Sequence, residues 1–199
     1  MKLVGIVGSN ADFSTNRKLL QFMQKYFSDQ AEIEICEIKE LPAFNEPADT
    51  TAPKEVQVLS DKIAQAEGVI IATPEYDHAI PAALKSALEW LSYTTRPLLD
   101  KAVMIVGCSH GSLGSSRAQR NLRQILDAPE IKARVLPSSE FLLGQSLTAF
   151  NERGSLIDKE KTKELAADFT EFKNFVELTN KLLESHPPKE KTKFAWEEV

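Results

Sequence analysis

Three short stretches gather most of the side chains in this chain that could take part in chemistry. Ser9-Asn10-Ala11-Asp12-Phe13-Ser14-Thr15-Asn16 is crowded with hydroxyls and amides. Pro74-Glu75-Tyr76-Asp77-His78 sets carboxylates, a phenol and an imidazole side by side. Ser109-His110-Gly111-Ser112-Leu113-Gly114-Ser115 combines hydroxyls with glycines. The first stretch precedes a helical pattern, so backbone amides and the helix dipole there favour an anion such as phosphate. The second reads at first sight as a catalytic loop of acid, phenol and imidazole. In the third, Gly111 and Gly114 let the backbone approach a flat ligand closely. Together they suit a ligand with a phosphate at one end and a planar ring at the other.

Each stretch is placed by the elements around it. Leu3 to Val7, Val69 to Ala72 and Lys101 to Cys108 are apolar runs of the kind that fit central parallel strands. The chemical stretches follow these runs, at the carboxyl ends of strands, where open α/β sheets put ligands. Glu32 to Ile38 alternates polar and apolar residues and so reads as a half-exposed edge strand. Ser14 is placed to cap a helix carrying Leu19, Leu20, Met23, Tyr26 and Phe27 on one face. Pro53 to Ala66, with Val56, Leu59 and Ile63 inward, predicts a second helix. Pro81 opens a third, bearing Leu84, Ala87, Leu88 and Leu91. Ala118, Leu122, Ile125 and Leu126 mark a fourth, and Leu165, Phe169, Phe172, Val176 and Leu183 a long final one. Leu41 to Pro53 is a proline-rich loop, and Ala133 to Leu143 is a last strand region broken by Pro137. This succession predicts an α/β fold, a doubly wound three-layer sandwich around a parallel sheet of about five strands. Residues 1–186 read as one domain. Residues 187–199 read as a tail whose Phe194 and Trp196 either dock on a neighbour or stay disordered.

A net charge of −5 over 199 residues argues against a nucleic-acid or anionic-membrane partner. Cys36 and Cys108 both fall in strand-like runs and do not form a C-x-x-C pair, which suits buried thiols in a reducing compartment. The opening MKLVGIVGSN lacks an apolar signal core, and no apolar run approaches a membrane span. A cytoplasmic protein is the expectation. His78, His110 and His186 are too scattered for metal-ligand spacing, so no metal is expected.

No G-x-G-x-x-G follows the first strand, and no G-x-x-x-x-G-K-[ST] occurs. Gly107-Cys108-Ser109-His110-Gly111 does match the G-x-S-x-G nucleophile elbow, between a strand and a helix. A serine hydrolase acting through Ser109 is therefore an alternative. Its triad would need Asp158 or Asp168 and then His186, which stands before Pro187-Pro188 after the last helix, a poor place for a fixed base.

Gly8-Ser9 with Ser14, Asn16 and Arg17, then Pro74-Glu75-Tyr76 with Ile80-Pro81, Leu84-Lys85, Ala87 and Trp90, resembles the NADPH-dependent FMN reductase family. Gly107 to Gly114, continuing through Arg117-Ala118-Gln119 to Leu122-Arg123-Gln124-Ile125-Leu126, is similar to that family's third signature. The likeness covers roughly residues 1 to 145 in order and spacing. It implies a flavodoxin-like fold with noncovalent FMN. Ser9, Ser14, Thr15 and Asn16 would hold its phosphate. Pro74, Glu75, Tyr76 and Asp77 would run along the ring, mostly through backbone, and Ser109, Gly111, Ser112 and Gly114 would close the ring site. The implied activity passes hydride from NADPH or NADH to FMN and then to a small acceptor: flavin, quinone, azo compound or metal oxyanion. Because the cofactor carries the chemistry, no catalytic residue is required, and Tyr76 and His78 are at most helpers. Homodimers or homotetramers are the implied assemblies. A non-enzymatic electron carrier of the flavodoxin type is a second alternative. Arg117, Arg120 and Arg123 read as a solvated helix face, from which one arginine could reach a pyridine nucleotide phosphate. This chain departs from the family at Ala11, where arginine is common, and at Asp77, His78 and Ala79, where asparagine, glycine and serine are usual.

Overall fold

The computed structural model describes residues 1–138 and 140–187, so the aromatic tail residues Phe194 and Trp196 lie outside the described residues. Six strands, β1 (Lys2–Val7), β2 (Glu32–Glu37), β3 (Gly68–Ala72), β4 (Ala102–Cys108), β5 (Arg134–Val135) and β6 (Phe141–Leu143), form a single sheet among the described residues. Its order is β2-β1-β3-β4-β5, with β6 also on β4, and every pairing is parallel. β5 and β6 share one edge position. β5 pairs with Ala102 and Val103 at the start of β4, and β6 pairs with Val106 to Cys108 at its end. Pro137 stands between them and has no N–H to give the ladder. The expected interruption is therefore present, and about five strand positions become six strands.

Five α-helices cover the sheet: α1 (Thr15–Tyr26), α2 (Lys54–Gln65), α3 (Ala82–Trp90), α4 (Ser116–Leu126) and α5 (Lys159–Ser185). The central strands are buried on both faces, and their side chains alternate between two cores. Leu19, Leu20 and Met23 of α1 and Phe169, Phe172 and Val176 of α5 pack with Leu3, Ile70, Met104 and Val106. On the other face Leu59 and Ile63 of α2, Leu84 and Leu88 of α3 and Leu122 and Leu126 of α4 pack with Ile6, Ile71 and Ile105. Fully burying each such side chain is worth about 1.5–3 kcal/mol. The edge strand β2 departs from the alternation read from its sequence after Glu34: Ile33 is buried and Ile35 half-buried on one face of the sheet, Cys36 is buried on the other, and Glu32, Glu34 and Glu37 are exposed.

Local details shift by a residue or a face. Pro81 is the residue before α3 rather than its first. Tyr26, expected on the inward face of α1, is 47% exposed and stacks on Phe22 at 5.2 Å between ring centroids. Leu183, near the end of α5, is only partly buried. A single π-helical turn, Leu91–Thr95, extends α3 and ends at Arg96 with φ 52°.

The winding fixes where a ligand can enter. The turn after β1 leads to α1 on one face, and the turn after β3 leads to α3 on the other. These adjacent strands send their connections apart, and a crevice opens between them at the carboxyl edge. The end of β4 must come close to β3 to wall that crevice. A Cβ on Gly107 would collide with the Ser115 hydroxyl and with the Thr73 carbonyl oxygen. Gly107→Ala is expected to lower stability by about 2 kcal/mol, in the range of core overpacking. Urea unfolding would register this as a lower midpoint with an unchanged slope, and an unchanged midpoint would contradict the close approach.

Candidate functional site

The three chemical stretches meet at the carboxyl edge of the sheet, held there by side chains that bond to backbone. Asn16, in the first turn of α1, donates through Nδ2 to the Cys108 carbonyl and accepts from the Cys108 N–H, both at 3.0 Å. This reciprocal pair ties the β1 turn to the end of β4. Glu75 ties the β3 turn to α4: its Oε2 accepts from the N–H of Arg117 at 3.0 Å and of Ala118 at 3.4 Å. Ser115, the residue before α4, makes no capping bond with its side chain and sits at φ 69°. A carboxylate from the turn after β3 thus caps this helix, where the dipole favours negative charge. Gln119 donates to the Phe141 carbonyl at 2.9 Å and so joins α4 to β6.

The β1 turn is braced from outside. Arg17 Nε and Nη2 donate to Glu37 at 2.6 and 2.8 Å, while Nη1 and Nη2 reach the Ala11 carbonyl and Nη1 that of Asp12. Glu37 holds the Arg17 guanidinium above its usual range, and Lys39, paired with Asp12, holds that carboxyl below its own. Ser14 caps α1 by accepting from the Arg17 N–H at 3.2 Å, and Ser9 Oγ accepts from the Ala11 N–H at 3.2 Å. Among the described residues the N–H groups of Thr15 and Asn16 have no partner. They are the open donors of a helix amino terminus.

Between the turns lies a cleft of about 500 Å³. Of the residues singled out by sequence, Ser14, Thr15, Asn16, Pro74, Glu75, Tyr76, Ser109, Gly111 and Ser112 line it. Ser9 is buried under the β1 turn, Gly114 packs against the backbone of Leu142, and Asp77 faces a neighbouring groove. That groove, of about 1170 Å³, runs along α3 and α4 and shares Tyr76 with the cleft. Phe13, Cys108, His110, Leu113 and Arg117 complete the cleft wall without having been assigned to it from sequence. Three of the large apolar side chains exposed on this protein, Phe13 (58%), Tyr76 (49%) and Leu113 (53%), come one from each turn and stand around its mouth. The sequence signal for Phe13 and Leu113 was present: each is a large apolar residue in an otherwise polar turn.

The helix face read as solvated divides. Arg117 pairs with Glu75 at 2.6 Å and lines the cleft. Arg123 donates to the Leu136 carbonyl at 2.9 Å, and burial pushes its guanidinium below the usual range. Arg120 is exposed. The Ser109 hydroxyl has one hydrogen bond among the described residues, to the Gly111 carbonyl at 3.3 Å. Among the described residues no histidine hydrogen-bonds to it. His186 is bonded to Ser185 beyond the end of α5, so the elbow has no base and the hydrolase alternative loses its triad.

Cys108 lines the cleft floor and donates to Thr15 Oγ1 at 3.3 Å. Burial pushes its thiol up to about 12, against a partial lowering by its bonds to Thr15 and Ser146. Because the folded value is raised, the thiol's stabilising contribution is full below the ordinary 9.0 and is lost as pH climbs toward about 12. Cys108 in the folded protein is expected to resist iodoacetamide at about pH 8, where a thiolate is needed for attack. Alkylation at the rate of the urea-unfolded chain would contradict this.

The NADH:(hydroxy)cinnamate reductase subunit CrdA of Vibrio ruber is 61% identical over 99% of this chain and 98% of that protein. The NADH-dependent flavin reductase subunit 2 of Lactobacillus johnsonii is 46% identical over 91% of this chain and its own full length, 100%. Among solved structures, the flavoenzyme FerB, an NAD(P)H:(acceptor) oxidoreductase from Paracoccus denitrificans, superposes with a TM-score of 0.71 at 25% identity, covering 93% of this chain and 98% of that one. The profile of one family, NADPH-dependent FMN reductase, matches residues 1–148. The chain therefore belongs to the NADPH-dependent FMN reductase family.

Proposed function

We propose that the cleft between the three turns holds FMN and that this chain is the NAD(P)H-oxidising subunit of a two-component reductase. The chain is an FMN-dependent NAD(P)H oxidoreductase by family. The observation that carries the residue assignment is the polarity of the cleft. Its α1 end offers the Ser14 hydroxyl and the open N–H groups of Thr15 and Asn16, the Thr15 hydroxyl being engaged with Ser146 and Cys108, while its other end is walled by Pro74, Tyr76, Gly111 and Leu113. A phosphate suits the first end and a flat ring the second, and about 500 Å³ falls within the usual range for such sites.

Ser14, Thr15 and the α1 amides bind the phosphate, with Ser9 supporting the turn from beneath. Asn16 serves through its N–H and by holding β4, since its side chain is committed to Cys108. Pro74, Glu75 and Tyr76 border the ring on one side, and Ser109, Gly111 and Ser112 on the other, with Gly114 shaping that turn and Asp77 turned away toward the groove. Bound FMN supplies hydride acceptance from a nicotinamide and onward electron transfer. The protein orients and shields: Phe13, Tyr76 and Leu113 provide an apolar rim on which a nicotinamide or acceptor ring can rest while water is displaced. No protein nucleophile enters this scheme. The scheme also gives the bound cofactor a turnover, which separates it from a passive electron carrier.

The names of the Vibrio ruber and Lactobacillus johnsonii relatives both contain the words NADH and subunit. They support NADH as the hydride donor and a partner polypeptide that receives electrons, directly or through a small flavin or quinone. A homodimer or homotetramer is compatible with this, with the groove beside Tyr76 as the apolar surface to be covered. Residues 1–186 act as one FMN-binding unit under this reading, and a cytoplasmic setting suits two free, buried cysteines.

Under nitrogen, the FMN-loaded protein is expected to lose its visible flavin absorbance on addition of NADH and to regain it on addition of a quinone. Once loaded with FMN, Ser109→Ala should still be reduced by NADH, since no step passes through that hydroxyl. A protein that takes up no FMN, or a Ser109→Ala variant that is inactive though FMN-loaded, would overturn the reading.

A further inference from the structure

The β3 turn contains an arrangement that neither the fold nor the flavin requires. Tyr76 and Ala79 exchange backbone hydrogen bonds, N–H to carbonyl, at 3.0 and 2.9 Å. The residues between them, Asp77 and His78, both take left-handed conformations with φ of 49° and 65°. A two-residue turn of this form favours Asn or Asp followed by Gly. Here the second position carries an imidazole, which tolerates that conformation less well than glycine. What the imidazole gains is a contact: His78 Nε2 lies 2.9 Å from Arg117 Nη1.

A guanidinium has only donors. The contact therefore exists only when Nε2 accepts, with the imidazole neutral and its proton on Nδ1. Arg117 is then held on two sides, by Glu75 at Nε and Nη2 and by His78 at Nη1, against the wall of the cleft. Protonation of His78 turns Nε2 into a donor and places a second cation against Arg117. The charged groups at this corner are Arg117 from α4 and Glu75 and Asp77 from the turn itself. Lys85, on α3, is occupied by Glu89 at 2.6 Å. Glu75 is already engaged by Arg117 and by the α4 amides, and Asp77 lines the neighbouring groove.

We propose that His78 is a positioning residue: as a neutral acceptor it fixes Arg117 and the Tyr76 rim of the FMN cleft, and when it takes up a proton that contact breaks and the site loosens. This rests on the FMN reading above. It makes flavin retention weaker once that proton is taken up.

The test uses the full chain, wild type, His78→Gln and His78→Gly, with folding checked by circular dichroism. FMN affinity is measured by quenching of flavin fluorescence at about pH 8 and about pH 5.5. A glutamine amide can accept from Arg117 at both pH values, and titration of the FMN phosphate itself acts equally on every protein. Wild type is expected to lose about tenfold in affinity on acidification beyond any loss in His78→Gln, the size of one charge-assisted hydrogen bond. His78→Gly should bind at pH 8 as weakly as wild type does in acid. Nitrogen-15 NMR of the imidazole should find Nε2 without its proton at pH 8. Parallel acid loss in wild type and His78→Gln, unchanged affinity in His78→Gly, or a protonated Nε2 at pH 8 would overturn the proposal. A wild type that binds no FMN at pH 8 would instead overturn the cofactor reading, and this inference with it.

Discussion

A carboxylate from one turn that caps the helix of another is the contact on which this site depends. Glu75 leaves the end of β3 and lodges at the amino terminus of α4, against two N–H groups and the Arg117 guanidinium. Helix amino termini carry unsatisfied donors, and a buried end without partners is costly. Ser115 does not fill that role, because its hydroxyl lies in the space left by the missing side chain of Gly107. The glycine lets β4 approach β3, that approach diverts the local cap, and the vacated cap position draws in Glu75. Close packing and electrostatics thus have a single solution, and it is one that pins two of the three cleft turns together.

The same economy runs through the rest of the edge. Asn16 spends both polar atoms of its amide on Cys108, and Arg17 spends its guanidinium on Glu37 and on the carbonyls of its own turn. Charged side chains near the cleft hold loops in place. What remains for an anionic cofactor is neutral: hydroxyls and open amides at α1, helped by a helix dipole. A protein with a net charge of −5 can bind such a cofactor without a basic patch. It also suits a reaction in which the cofactor does the bond-making, since a rigid wall and a dry rim are all that the chain must provide.

Much of this was legible in the sequence, and the limits have physical causes. Apolar runs and the break at Pro137 report local burial and backbone chemistry, so the strands and their succession follow from them, whereas the burial of Cys36 on the second face of β2 does not follow from alternation. The three turns were found because hydroxyls, amides and glycines cluster there. The tertiary partners of individual side chains were not legible. Nothing near Glu75 in sequence announces that it caps a helix 40 or so residues on, a pairing set by sheet order. Arg123 looked solvated because helical spacing alone does not reveal that it reaches the Leu136 carbonyl. That Asp77 lines the neighbouring groove follows from a left-handed turn that only the backbone displays.

The central claim is that the cleft is built before its cofactor arrives, by side chains acting on backbone amides. Hydrogen exchange of the FMN-free protein tests it directly at the N–H groups of Cys108, Arg117 and Ala118, which donate to Asn16 and Glu75. The account predicts slow exchange at all three without FMN, with little further slowing when FMN is added. Rapid exchange in the free protein, becoming slow only on addition of FMN, would mean that the cofactor assembles the site and would contradict it.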